Sequence, residues 1–89
     1  MSTVILTRCD VAVLLTMEEV IEVVEQALRD HAVGLCQMLP KVYVKLDKGD
    51  FRAMPCAVPG AAGVKWVNVH LGNRELGLPS IMAVIIYEM

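Results

Sequence analysis

The stretch KVYVKLDKGDFRAMPCA, residues 41–57, decides the fold, because it joins two extended runs through a short polar turn. Apolar and polar side chains alternate over residues 42–46, which is the period of a half-buried β-strand. Residues 47–50 have the composition of a turn, in which we expect Gly49 to adopt a positive φ. The stretch therefore predicts a β-hairpin, and Pro55 predicts that the far half of its second strand is a sheet edge or a bulge.

Helix signals precede the hairpin. Thr16 and Glu19 have the spacing of a capping box, and apolar residues then recur at intervals of three and four. This pattern predicts an amphipathic helix that ends at Gly34, where the absence of a Cβ atom permits a left-handed conformation. A weaker capping box at Thr7 predicts a short helix before it, and the apolar residues 4–6 predict a short strand.

Two further strands follow the hairpin, over residues 64–70 and 81–87, and each is preceded by a glycine-containing loop, at 59–63 and 72–79. The last strand is apolar throughout, which is typical of a strand covered on both faces. The elements predict an α+β fold in which a helix packs on a β-sheet. Because little chain follows this apolar strand, we expect the segment to belong to a larger fold.

Composition narrows the class of protein. The 89 residues suffice for one small domain, and with 56% apolar and 20% charged residues they are too apolar for a disordered segment. Lysine and arginine are scattered and the net charge is −2, so we expect no nucleic-acid partner. The longest apolar run is far shorter than the roughly 20 residues of a membrane span, so we expect no membrane partner. The apolar excess must enter a core, a subunit interface or a contact with further chain.

The three cysteines, Cys9, Cys36 and Cys56, are far apart and odd in number. Their spacing matches no zinc or redox motif, so we expect no metal site. Free thiols are typical of reducing compartments, which predicts a cytoplasmic protein.

Two cations are the main candidates for chemistry. Lys65 has apolar neighbours on both sides, and burial there would lower its pKa and suit it to acid–base or Schiff-base chemistry. Alternatively, its ammonium group extends to water from an edge strand. Arg52 is suited to binding a carboxylate ligand, or it forms a salt bridge with Asp47 or Asp50. His70 is either a general base or a polar residue at a strand end.

Four motifs in order resemble one family: MLPKVY at 38–43, GDFRAMP at 49–55, AGVKWVNVH at 62–70 and GLPSIMAV at 77–84. They are similar to the ornithine cyclodeaminase/μ-crystallin family, most of all to its archaeal alanine dehydrogenase branch. The resemblance implies that residues 1–89 are the N-terminal portion of a substrate-binding and dimerisation domain with a mixed sheet. It also implies a Rossmann NAD-binding domain, which these residues do not contain.

The resemblance assigns roles to four residues. Arg52 and Lys41 match substrate-binding positions, with Arg52 gripping the carboxylate. Lys65 matches the catalytic lysine at the reacting carbon. Ser80 stands where the family has a threonine that contacts the nicotinamide side of the cofactor. The sequence departs from the family at Leu71, where relatives have a proline, which leaves the geometry of that loop open.

The function implied by the resemblance is NAD-dependent oxidative deamination of L-alanine to pyruvate and ammonia, carried out by a homodimer. One alternative is ornithine cyclodeamination, which gives L-proline and ammonia. Another is a non-catalytic module for dimerisation or ligand binding. In each enzymatic case we expect the isolated 89 residues to be inactive, because the nucleotide-binding domain is not among them.

Overall fold

The computed structural model describes residues 2–88, which form two α-helices, five β-strands and a short 3-10 helix. In chain order the elements are α1 (Arg8–Leu14), α2 (Met17–Ala32), β1 (Gln37–Met38), β2 (Val42–Leu46), β3 (Gly49–Val58), β4 (Ala61–His70), the 3-10 helix (Leu71–Leu76) and β5 (Ile81–Glu88). The sheet order is β1-β3-β4-β5, and β2 also pairs with β3. β4 pairs along the whole of one edge of β3, and β1 and β2 pair with separate parts of the other edge of β3.

The α+β class is confirmed, and α2 contacts the sheet at β3. The strand pairs within residues 2–88 are all antiparallel, so this part of the sheet is antiparallel rather than mixed. Antiparallel neighbours need only short connections, and the turns between β2, β3 and β4 are of that kind.

Both predicted helices form, and each begins directly after its predicted N-cap residue, Thr7 for α1 and Thr16 for α2. The backbone N–H of Glu19 donates to the Thr16 hydroxyl at 3.2 Å, which satisfies one of the free donors at the start of α2. Gly34 follows the helix with φ of 82°, the left-handed conformation predicted for it. At α1, Thr7 and Asp10 form the predicted capping box in both directions.

The predicted hairpin is formed by β2 and β3, but its turn is tighter than expected. Leu46 pairs with Gly49, so only two residues connect the strands. The prediction of a positive φ at Gly49 is wrong, because this residue lies within β3. Its lack of a side chain has another cause: a Cβ atom there would overlap the carbonyl oxygen of Val69 on β4.

Three other local predictions need correction. Residues 4–6 form no strand. The far half of β3 is not a sheet edge, because β1 pairs with it at Cys56. Pro55 lies in the gap between the segments of β3 that pair with β1 and with β2, which suits a residue without an N–H group. The loop expected over residues 59–63 is a short turn, and β4 begins at Ala61.

Packing within the described residues leaves no closed core. None of residues 2–88 is fully buried, and β5 is exposed along its length, with Ile85 68% exposed. The radius of gyration is 15.6 Å, whereas a compact domain of this length has about 12 Å. The apolar excess therefore lies on open faces of the helices and the sheet.

Candidate functional site

The strand register places the two candidate cations on one face of the sheet. Side chains directly opposite each other in an antiparallel pair lie on the same face, and residues two apart along a strand share it. Arg52 pairs with Tyr43 on β2 and Val67 on β4, and Met54 pairs with Lys65. We call the face that carries these five residues the cationic face.

Arg52 is held on this face by two neighbours. Its Nε donates to Oδ1 of Asp50 at 2.8 Å, and its Nη2 donates to Oδ2 at 3.3 Å. The guanidinium carbon lies 5.3 Å from the centre of the Tyr43 ring, within the range of a cation–π contact. Hydrogen bonding to Asp50 raises the pKa of Arg52 further, so the group remains a cation. The salt bridge with Asp50, one of the two interpretations of this arginine, is thus present.

Lys65 lies diagonally from Arg52 across the β3–β4 pair. It is exposed in this chain, so the burial suggested by its apolar sequence neighbours is not found. A shallow depression beside it is lined mainly by apolar residues, among them Met54, Ile85 and Tyr87. Lys65 is the charged residue in that lining, so the depression combines one positive charge with an otherwise mainly apolar surface.

Two further lysines accompany Arg52 and Lys65. Lys41 is exposed, immediately precedes β2 and shares the alternation of Tyr43. Lys45 pairs directly with Asp50, and sequence analysis did not single it out. Four cations and one carboxylate therefore belong to this side of the sheet, an arrangement that favours a small anionic ligand.

Ser80 is not brought beside Lys65. It directly precedes β5, and its carbonyl oxygen accepts from the N–H of His70 at 2.8 Å. Lys65 pairs with Ile85, five residues further along β5, which corresponds to about 17 Å of strand. The role of Ser80 toward NAD stays a prediction.

The opposite face of the sheet carries an aromatic group. Phe51 stacks on Trp66 with ring centres 5.3 Å apart, and His70 meets Phe51 edge-on at 5.5 Å. His70 is thus a packed residue at the end of β4, on the other face from Lys65, and it does not join the cations.

The described residues offer neither a grouped metal-ligand set nor a membrane-spanning helix. Within residues 2–88 no three histidine, cysteine or acidic side chains are grouped closely enough to hold a metal ion. In that part of the chain, no helix combines the length and the apolar character required to cross a bilayer.

Sequence reasoning missed the Tyr43–Arg52 contact. The length of the hairpin turn could have predicted this contact, because it determines which residue of β2 pairs with Arg52. A four-residue turn at 47–50 would have paired Arg52 with a different residue. Only the two-residue connection places Tyr43 opposite it.

Sequence comparison establishes the family. The family profile described as "Ornithine cyclodeaminase/mu-crystallin family" matches residues 1–88, so the chain belongs to this family. Alanine dehydrogenase of Archaeoglobus fulgidus is 51% identical over 86 residues, which cover 97% of this chain and 27% of that protein. The nodulation efficiency protein NfeD of Rhizobium meliloti is 35% identical over 86 residues, covering 91% of this chain and 27% of that protein.

Solved structures agree with the sequence relatives. An archaeal alanine dehydrogenase dimer with bound NAD superposes with a TM-score of 0.87 at 49% identity, covering 93% of this chain and 26% of that one. The Δ1-pyrroline-2-carboxylate reductase of Thermococcus litoralis, in complex with NADH and L-proline, gives a TM-score of 0.83 at 30% identity, covering 91% and 26%. The chain thus spans about a quarter of the proteins it matches, and corresponds to their N-terminal part. Members of the family are NAD-dependent oxidoreductases and cyclodeaminases.

Proposed function

We propose that residues 1–89 are the N-terminal portion of the substrate-binding and dimerisation domain of a cytoplasmic, homodimeric, NAD-dependent alanine dehydrogenase. The observation that carries the proposal is the cationic face. Arg52 and Lys65 lie together there, in a segment 51% identical to an alanine dehydrogenase. The rest of the enzyme, including the Rossmann domain, would be supplied by a longer polypeptide that contains this segment, here called the full-length protein.

In the proposed reaction, L-alanine, NAD⁺ and water give pyruvate, ammonium, NADH and a proton. Bound NAD⁺ would supply the oxidation by accepting a hydride from the substrate. The described residues contain no glycine-rich turn between a strand and a helix of the kind that holds dinucleotide phosphates, so binding of the cofactor phosphates would fall to the rest of the full-length protein.

The residues of this segment act on the amino acid. Arg52 binds the substrate carboxylate through its guanidinium group, and Lys41 adds positive charge at the same side of the sheet. Lys65 holds and moves the proton of the substrate nitrogen and of the water that attacks the imine carbon. The apolar lining of the depression beside Lys65 suits a methyl side chain better than a charged one.

A substrate assay tests the proposal. We expect purified full-length protein to accumulate NADH with L-alanine and NAD⁺, and to release pyruvate and ammonia in equal amounts. Ornithine cyclodeamination regenerates NAD⁺ within each cycle. Proline and ammonia formed from ornithine without net NADH would therefore establish the cyclodeaminase alternative and contradict the dehydrogenase.

The open apolar faces support the third candidate, a non-catalytic dimerisation or ligand-binding module. The substrate assay, combined with light scattering after size exclusion, distinguishes it from the homodimeric enzyme. A dimeric full-length protein that binds amino acids but turns over neither substrate would support this candidate, and a stable monomer would count against it.

A further inference from the structure

We propose that Asp50 is a positioning residue for substrate recognition: it occupies one edge of the Arg52 guanidinium and thereby presents the other edge to the ligand carboxylate. This inference rests on the proposed function, in which Arg52 binds that carboxylate. It adds a role for an acidic residue that would otherwise be expected to repel an anionic substrate.

The ion pair between Asp50 and Arg52 uses only one side of the guanidinium group. A guanidinium group has five N–H donors, and four of them form two forks, one from Nε and Nη2 and the other from Nη1 and Nη2. Asp50 accepts from Nε and Nη2, so it occupies the first fork. Nη1 donates to no other group within residues 2–88, and the second fork therefore stays available for another carboxylate.

Arg52 is restrained by two neighbouring residues. Asp50, on the same strand, pairs with its guanidinium, while the centre of the Tyr43 ring on β2 lies 5.3 Å from the guanidinium carbon. The Arg52 and Asp50 side chains are 33% and 22% exposed, so the pair is half-buried and less screened than a fully exposed one. Restraint before binding reduces the conformational entropy that a ligand must remove.

A charge effect and a positioning effect of Asp50 predict opposite changes in substrate binding when Asp50 is removed. Asp50 cancels the charge of Arg52, which leaves the lysines Lys41, Lys45 and Lys65 as the surplus positive charge on this side of the sheet. If Asp50 acted through charge alone, its removal would strengthen binding of an anionic substrate. If it positions Arg52, its removal weakens that binding.

The experiment measures steady-state kinetics of the full-length protein for Asp50→Asn, Asp50→Ala, Arg52→Ala and the double variant. We expect both Asp50 variants to raise the KM for alanine by about tenfold or more, the effect of losing a hydrogen bond to a charged group. The KM for NAD⁺ should be unchanged, which also verifies folding. Asp47→Ala, a neighbouring acid in the hairpin turn, is the matched control and should behave as the unmodified protein.

A double-mutant cycle separates positioning from general stability. If Asp50 acts through Arg52, removing Asp50 has no further effect in the Arg52→Ala background. An unchanged or lowered KM in Asp50→Asn, together with a raised KM in Arg52→Ala, would overturn the role of Asp50 and leave the proposed function standing. An unchanged KM in Arg52→Ala would overturn the substrate-binding role of Arg52 and, with it, the role of Asp50. No turnover of alanine by the unmodified full-length protein would instead overturn the proposed function.

Discussion

Arg52 on β3 and Lys65 on β4 are diagonal neighbours on one face of the sheet, because Arg52 pairs with Val67 and Lys65 lies two residues before Val67. Diagonal neighbours in an antiparallel pair are about 7–8 Å apart, within reach of two long side chains. One small ligand can therefore contact both cations. In the proposed reaction, its carboxylate binds at Arg52 and its reacting carbon faces Lys65.

Lys65→Ala should lower kcat of the full-length protein by about 10²–10⁴-fold, the range expected when a general acid–base group is lost. Substrate binding should change less, because Arg52 is retained. Lys48→Ala, in the β2–β3 turn, is the control lysine and should leave kcat unchanged. Near-normal turnover of Lys65→Ala would remove this residue from the mechanism.

Gly49→Ala should destabilise the fold by about 1–3 kcal/mol, the usual cost of forcing extra atoms into an occupied space. The new Cβ would meet the backbone carbonyl oxygen of Val69, which cannot move aside as a flexible side chain can. Thermal unfolding checks this, with Gly72→Ala as the control, since no atom lies within 4 Å of a Cβ built there. Equal midpoints for the two variants would contradict the close approach of β3 and β4.

Cys36 should react with iodoacetamide more slowly than Cys9 at neutral pH. Partial burial raises the pKa of the Cys36 thiol, and Asp30 and Cys56 raise it further, so less thiolate is present to react. The rate of Cys36 alkylation should keep increasing as the pH rises above the usual pKa of a cysteine thiol. Mass spectrometry of the labelled peptides measures both rates, and Asp30→Asn should accelerate labelling of Cys36. Labelling of Cys36 before Cys9 would contradict this assignment.

Acidification should weaken the start of α1. The backbone N–H and hydroxyl of Thr7 donate to Asp10 at 2.8 and 2.9 Å, and these bonds lower the pKa of the carboxyl. Because the folded pKa is below the unfolded one, the stabilisation is fully present above about pH 4 and is lost as pH falls through the folded pKa. An NMR titration of Asp10 measures this pKa directly. A value at or above that of an unfolded peptide would show that the capping box does not form.

Local signals in the sequence were sufficient for the helices and for the existence of the hairpin. α2 forms as predicted because its beginning at Thr16 and its end at Gly34 depend on contacts within one turn of helix. β1 was missed because two residues carry no periodic pattern, and it exists only through pairing with Cys56 and Ala57 of β3. The apolar residues 4–6 suggested a strand, but a strand also requires a pairing partner, which a short run does not reveal.

The candidate site was predictable in its residues but not in its contacts. Arg52 and Lys65 were selected by residue type and by resemblance, and the register then put them on one face. The sequence could not show which groups Arg52 contacts, because this depends on side-chain geometry. In the structure, Arg52 forms an ion pair with Asp50 and lies against the Tyr43 ring. Burial of Lys65 could not be judged from its apolar neighbours, because burial depends on what covers the sheet face.

The central claim is that this segment supplies the substrate site of an alanine dehydrogenase. It is tested most directly by a chimera in which residues 1–88 replace the matching segment of Archaeoglobus fulgidus alanine dehydrogenase, to which they are 51% identical over 86 residues. NADH formation from L-alanine is then measured. We predict turnover of the same order as the parent enzyme, abolished by Arg52→Ala together with Lys65→Ala. A chimera that binds NADH as the parent does but oxidises no alanine would contradict the account.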